Sequence, residues 1–248
     1  MNIIYIIWLR QLKRYFRARA RIVGSLAQPL LFLLALGFGF GPIFQKAGEG
    51  NYIQFIVPGI IAMSILFTSI FSGIEVIWDK QFGFLKETLV APVSRTLIMI
   101  GRTLGSATVA ALQGVIVLVI SYALGFRVVN LALLPVSIVF MFLISLFFTS
   151  IGTAIGSMLE DMQGFQLIMN FLVMPLFFLS GALFPLDKVP KALNIVAAID
   201  PLTYGVDGLR GTLISMTHYG LTIDLLVLGI LTIIVVAIGS YLFSKIQI

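Results

Sequence analysis

Six long apolar stretches, at about residues 22–44, 54–78, 98–125, 132–158, 164–184 and 220–244, dominate this chain of 248 residues. Each matches the roughly 20 residues that a helix needs to cross a hydrocarbon core of about 30 Å. Lipid offers no hydrogen-bond partner to an exposed N–H or C=O, so a spanning backbone must pair its own groups, and a helix does this within one segment. The expected fold is an all-α integral membrane protein with six transmembrane helices. Hydrophobic residues make up 60% of the chain and charged residues only 10%, which leaves too little polar surface for a large extramembrane domain. Residues 1–248 therefore read as a single transmembrane domain.

The net charge is +6, and six of the sixteen basic residues fall in the first 21 positions, directly before the first apolar stretch. That placement marks a membrane surface and not a nucleic-acid partner. Ile3, Ile4, Ile7, Trp8, Leu12 and Phe16 recur near helical spacing, while Arg10, Lys13, Arg14, Arg17, Arg19 and Arg21 crowd the second half. Residues 1–21 are expected to form an amphipathic helix lying in the interface. A cleaved leader would carry its charges before its apolar region and end in small residues, and this segment does neither.

With the amino terminus in the cytoplasm, Arg10, Lys13, Arg14, Arg17, Arg19, Arg21, Lys80, Lys86, Arg95, Arg102 and Lys245 lie inside. Lys46, Arg127, Lys188, Lys191 and Arg210 lie outside. Eleven against five obeys the positive-inside rule, so both termini are expected in the cytoplasm of a multi-pass plasma-membrane protein. The inner turn at Glu160 and Asp161 carries no basic residue, but acidic residues weigh little in this rule.

Three connections differ in character. Residues 45–52 are short, polar and glycine-bearing, as an external turn requires. Residues 79–95 mix charges with Phe82, Phe84, Leu85, Leu89 and Val90, which predicts a short amphipathic cytoplasmic helix ending before Pro92. Residues 185–219 contain Pro185, Pro190 and Pro201 and two apolar pieces too short to span, which predicts re-entrant external half-helices before the last span.

Chemistry-bearing residues are sparse. There is no cysteine, and the single His218 cannot build a multi-histidine metal site. No GxxxxGK[ST] phosphate loop occurs, and the GFGFG run from position 37 lies inside a span without the strand-turn-helix setting of a nucleotide site. Pairs of glycines four apart, Gly37 with Gly41, Gly101 with Gly105 and Gly152 with Gly156, read as close helix contacts. Glu75 and Asp224 lie about one turn inside their spans, where a role at the helix end is the first reading and a buried ion pair the alternative. Gln113, Ser121, Ser145, Thr149, Ser150, Thr153 and Asn170 sit within spans, and bonds between helices are expected for most of them. No mid-span carboxylate pair exists to drive a proton- or sodium-coupled carrier. Nor is there a cluster of acid, base and nucleophile for an intramembrane enzyme.

The run MPLFFLSGALFPLDKVPKALNIVAAIDPLTYGVDGLRG at residues 174–211 resembles the signature region of type-2 ATP-binding-cassette (ABC-2) permeases. The likeness is strongest to those that export drugs, antibiotics and lipo-oligosaccharides. The matching elements are FLSGALFP, Pro190 with Leu193, and DPLTYGVDGLR, where the family more often has Asn at the position of Asp200. FGFLKETLVAPVSR at residues 82–95, followed by Gly101 and Arg102, resembles the family's first cytoplasmic loop.

The resemblance implies a transport subunit with no ATPase site of its own. It would work with two cytoplasmic ABC ATPase subunits, which bind ATP and Mg, and with a second permease copy, often identical. Carried over residue by residue, it assigns ATPase coupling to Gln81, Phe82, Gly83, Phe84, Leu85, Lys86, Glu87 and Leu89. It places the substrate route between permeases along the second and fifth spans, with Phe67, Phe71, Phe171, Phe177 and Phe178 as lining candidates. It assigns the external re-entrant segment to Pro185, Pro190, Asp200, Pro201, Tyr204 and Arg210. The substrate implied is hydrophobic or amphiphilic: a drug, a lipid or a glycolipid. The alternatives are a secondary carrier or channel, and a membrane anchor of an ATPase that transports nothing.

Overall fold

The computed structural model describes residues 3–46, 51–83 and 94–244. The described residues form ten α-helices and two single 3-10 turns, with no strand. In chain order these are α1 (Ile3–Arg17), α2 (Arg19–Lys46), α3 (Tyr52–Phe71), α4 (Ile74–Gln81) and α5 (Arg95–Ala123). After them come α6 (Leu134–Met158), α7 (Met162–Leu179), α8 (Lys191–Ile199), α9 (Pro201–Ile214) and α10 (Leu221–Ser244). Among the described residues six segments are long and apolar enough to cross a membrane: Arg19–Ile43, Tyr52–Gln81, Arg95–Ala123, Leu131–Met158, Met162–Leu179 and Leu221–Phe243. The six expected spans are thus present, with ends shifted by only a few residues. The amphipathic helix expected within residues 79–95 falls mostly on residues 84–93, which lie outside the described residues.

Local chemistry explains where the helices begin. Asn51 accepts a hydrogen bond from the Ile53 N–H at 3.0 Å, Ser94 from Leu97 at 3.4 Å, and Asp161 from Gly164 at 2.5 Å. Each side chain satisfies a first-turn donor that the helix itself cannot. Short helices α8 and α9 fill the connection before the last span, and neither is long enough to cross a bilayer.

Helix α3 lies at the centre, packed on α2, α5 and α6, while α10 rests mainly on α6. Water does not drive apolar helices together in lipid, so close van der Waals approach must, and small residues permit it. A Cβ on Gly73 would collide with the carbonyl of Gly152. One on Gly156 would meet the carbonyl of Gly73, and one on Gly152 that of Ile70. Gly101 and Gly105 also make a contact, but their partner is α1: a Cβ on Gly101 would lie 3.1 Å from Ile4, and one on Gly105 would lie 2.8 Å from Gln11. The pair at Gly37 and Gly41 departs from expectation. Gly37 approaches the flexible Ile53 side chain of another helix, and nothing lies within 4 Å of a Cβ at Gly41.

The polar residues inside the spans also behave differently from the sequence reading. Gln113 does bond between helices, exchanging two hydrogen bonds with Ser25 of α2 at 3.1 and 3.2 Å. Ser145 and Ser150 instead donate to carbonyls of their own helix, Phe142 and Leu146, at 2.8 and 2.7 Å. A hydroxyl can reach a carbonyl three or four residues back without any partner helix, so it needs no neighbour to be satisfied.

The glycine contact predicts a stability effect. Gly152→Leu should push α6 from α3 and destabilise the detergent-solubilised protein by about 1–3 kcal/mol. Gly24→Ala, at a helical position with open space around it, should not lower the unfolding midpoint. Thermal unfolding of both variants beside wild type checks this.

Candidate functional site

The second span is interrupted. After Phe71 the chain turns through Ser72 and Gly73, with the Ser72 hydroxyl donating to the Ser69 carbonyl at 2.6 Å, and restarts as α4. Four residues apart on α4, Glu75 and Asp79 share one face and both are buried. A buried carboxylate is costly unless it is paired, and three arginines from three other helices meet this demand. Arg21 of α2 bonds Glu75, and Arg14 of α1 lies 3.5 Å from Glu75 and 4.0 Å from Asp79. Arg102 of α5 stands 2.8 Å from Asp79, as a charge contact whose N–H direction misses the line of a hydrogen bond. Glu75 is thus a member of a buried ion network and does not reach out to an interface. The alternative reading of this residue holds.

The other side of α4 is tied as firmly. Lys80 donates to the carbonyls of Ser157 and Leu159, the latter at 3.3 Å, and Gln81 donates to the Glu160 carbonyl at 2.9 Å. The Trp78 indole N–H points at the Met162 sulfur. These acceptors belong to the end of α6 and its turn into α7, where helix carbonyls lack partners of their own. Helix α4 as a whole is therefore bonded to α1, α2 and α5 on one side, and its last turn to the α6–α7 turn on the other. It leads straight into residues 82–94.

Of the residues assigned to coupling, Gln81 ends α4, and Phe82 and Gly83 follow it, with Phe82 exposed. Phe84, Leu85, Lys86, Glu87 and Leu89 lie outside the described residues. The five phenylalanines proposed for a substrate route separate into groups. Phe67 and Phe71 stack at 6.1 Å and are half-buried, Phe171 is 85% exposed, Phe178 is exposed, and Phe177 is buried in the core. Helix α7 thus turns Phe171 and Phe178 outward and Phe177 inward.

At the opposite end of the bundle, residues between Ser180 and His218 wall a cavity of about 720 Å³ together with the start of α3 and with Arg127 and Val129. Pro185 precedes a 3-10 turn, Pro190 precedes α8, and Pro201 opens α9 behind the cap Asp200. These positions suit proline, which brings a helix-compatible φ and gives up an N–H that has no partner there. Tyr204 donates to the Ala198 carbonyl at 2.8 Å and ties α9 to α8. Arg210 lies buried over the Phe55 ring at 4.0 Å and donates to the Gly181 carbonyl at 3.0 Å. Burial pushes its guanidinium down to about 10 against the pull of Asp207 and Asp187, so it remains a cation at neutral pH.

Three residues that the sequence reading did not single out for this segment complete it. Asp207 accepts from the His218 and Tyr219 backbone N–H groups, each at 2.8 Å. The His218 ring nitrogen lies 2.5 Å from Asp187. Asp207 falls inside the DPLTYGVDGLR run, but its partners follow eleven and twelve residues later, and no local pattern links them. Asp224 is fully buried and does not reach a surface from its place near the start of α10.

Two tests follow. Asp79→Ala should strand Arg102 in the interior and cost about 3 kcal/mol in denaturant unfolding, whereas Asp79→Leu combined with Arg102→Met should recover most of that loss. Asp200 concerns pH. Its Oδ1 accepts from the Leu202 N–H at 2.8 Å, yet burial dominates and pushes the carboxyl up to about 7. The native carboxyl then keeps a proton that an unfolded aspartate releases near pH ~3.9. Stability should fall as pH rises between those values and level off above about 7. Asp200→Asn keeps the cap and should remove this slope in unfolding measured from pH to pH.

Comparison with known proteins bears on the whole chain. The profile of the family described as ABC-2 type transporter matches residues 2–214. The transport permease ycf38 of Cyanophora paradoxa is 31% identical over 241 residues, covering 91% of this chain and 82% of the relative. Nodulation protein J of Rhizobium leguminosarum bv. viciae is 26% identical over 244 residues, covering 96% and 93%. Nodulation protein J of Rhizobium meliloti is 30% identical over 215 residues, covering 84% and 80%.

Proposed function

The chain belongs to the ABC-2 type transporter family and is a membrane subunit of an ABC transporter, and on that footing we propose that it is the permease of an ATP-driven exporter. It pairs with a second permease copy and with two cytoplasmic ATPase subunits, and it moves a hydrophobic or amphiphilic substrate outward through the plasma membrane. The lack of a phosphate loop in the sequence accords with this division of labour, because ATP and its magnesium ion belong to the partner. In this reading the end of the bundle that carries α1 and the last turn of α4 faces the cytoplasm, and α1 lies in the interface. Helices α8 and α9 dip into the outer leaflet without crossing it.

The observation that carries the proposal is the double tether of α4. Nucleotide can bias the permease only if its contacts differ between the two ATPase states. Residues 82–89 receive that difference when the ATPase subunits close. A rigid helix joined to their start passes it on. The ion network delivers it to α1, α2 and α5, and Lys80 and Gln81 deliver it to the turn between α6 and α7. Four of the five spans besides the one that contains α4 are thereby connected to one lever. The exposed Phe171 and Phe178 on α7 then stand where a second permease copy would meet them, and they offer an apolar wall to an amphiphile.

Replacing Phe84 and Glu87 together by Ala should leave ATP hydrolysis by the assembled complex in place while transport falls by about tenfold, because the driving contact and not the fold is lost. Both rates are measured in the same proteoliposomes. Wild-type transport by a well-expressed double variant would remove residues 82–89 from the coupling role.

A further inference from the structure

Helix α1 carries more charge than its contacts use. One face packs on α5: Ile4, Ile7 and Gln11 approach Gly101 and Gly105, and the Trp8 indole donates to Thr108 at 3.0 Å. Arg14, to one side, is taken up by Glu75 and Asp79. Ile6, Arg10, Lys13 and Arg17 recur at spacings of four, three and four, which sets them on one stripe opposite the packed face. No carboxylate of the described residues pairs with Arg10, Lys13 or Arg17, and all three are exposed.

The stripe is also a groove. Ile6, Leu9, Arg10, Lys13 and Arg17, with the already paired Arg14 at the edge, line an open hollow of about 640 Å³. Apolar side chains stand bare on the same helix: Ile6, 47% exposed, lies in the hollow beside the cations, and Tyr5 and Phe16, 50% and 60% exposed, lie on the adjoining face. In water such exposure is unfavourable, and at the boundary between headgroups and acyl chains it is not. The chain places the groove at that boundary, because only Ala18 separates α1 from α2, the first span.

We propose that this groove is a binding site for the headgroup of an anionic phospholipid, with Arg10, Lys13 and Arg17 holding the phosphate and Ile6 and Leu9 lying along the acyl chains. The charge is complementary, the mixture of cationic and apolar side chains matches an amphiphile, and the covalent link to the first span keeps the site at the bilayer surface. The three side chains present donors and no acceptor, as phosphate oxygens require. The bound lipid would sit against the same helix that Arg14 joins to Glu75, so its occupancy stiffens the helix that the ion network leans on.

The test uses the purified full chain in detergent, with fluorescent phosphatidylglycerol as the probe and fluorescent phosphatidylcholine as the neutral comparison. Wild type should prefer phosphatidylglycerol, and raised salt should weaken that preference. The triple variant Arg10→Gln, Lys13→Gln, Arg17→Gln should lose it by about a hundredfold, since each basic side chain near an anionic surface contributes about fivefold. If the triple variant does not fold, Arg10→Lys with Arg17→Lys should keep most of the preference and Arg17→Glu alone should lower it. Equal affinity of wild type for the two lipids, or an unchanged preference in the triple variant, overturns the site. Displacement of the probe by millimolar inorganic phosphate would reassign it to free anions, and loss of the ATPase subunit from the triple variant with lipid preference intact would reassign it to a protein partner. None of these readouts depends on transport, so the lipid site and the exporter reading fail separately.

Discussion

The close approach at Gly73 determines more of this protein than any other contact. Two backbones meet where Gly73 faces Gly152 and Gly156, at a separation that no Cβ would allow. In a bilayer, where apolar side chains gain nothing by leaving lipid for one another, such contacts hold helices together by packing alone. The second and fourth spans are joined there. The same glycine lies at the interruption of the second span, and the short helix α4 that follows carries Glu75 and Asp79 toward the arginines and Lys80 and Gln81 toward the α6–α7 turn.

The ion network is a consequence of that break. Once Glu75 and Asp79 are carried into the interior, the cost of their charge has to be met locally, and Arg14, Arg21 and Arg102 meet it from three helices. Buried pairs of this kind add little net stability compared with apolar packing, but they are expensive to break one side at a time. That asymmetry suits a part that must move as a unit. The proposed lever depends on it, since a helix held only by apolar contact could slide where a helix held by paired charges must carry its neighbours along.

The opposite end of the bundle uses different means. Short helices α8 and α9 are set by prolines and caps, and the loop after α9 is pinned by Asp207 and by the contact of His218 with Asp187. The apolar interior of α3 and α6 lies between the two ends, with few polar links to transmit a local change. Each end is thus organised by its own bonds, and the spans between them act as rods.

Much of this was legible in the residues. Six apolar runs of spanning length, the basic start, the proline-broken piece before the last span and the missing phosphate loop each follow from composition along a short window, because lipid solvation acts on every segment separately. The resemblance carried by FLSGALFP and DPLTYGVDGLR led to the family that comparison of the whole chain then showed. The pairing of charges was not legible. Glu75 could equally have served a helix end, and nothing near it in sequence names Arg14, Arg21 or Arg102 as its partners. Glycine pairs four apart look alike in α2, α5 and α6, yet Gly41 faces open space, Gly105 takes α1 and Gly152 takes Ile70. The chain by itself determined which segments enter the membrane, since that depends on local transfer from water to lipid. Only the tertiary structure decided which faces meet and which charges are consumed, because register between distant helices is set by the fit of many side chains at once.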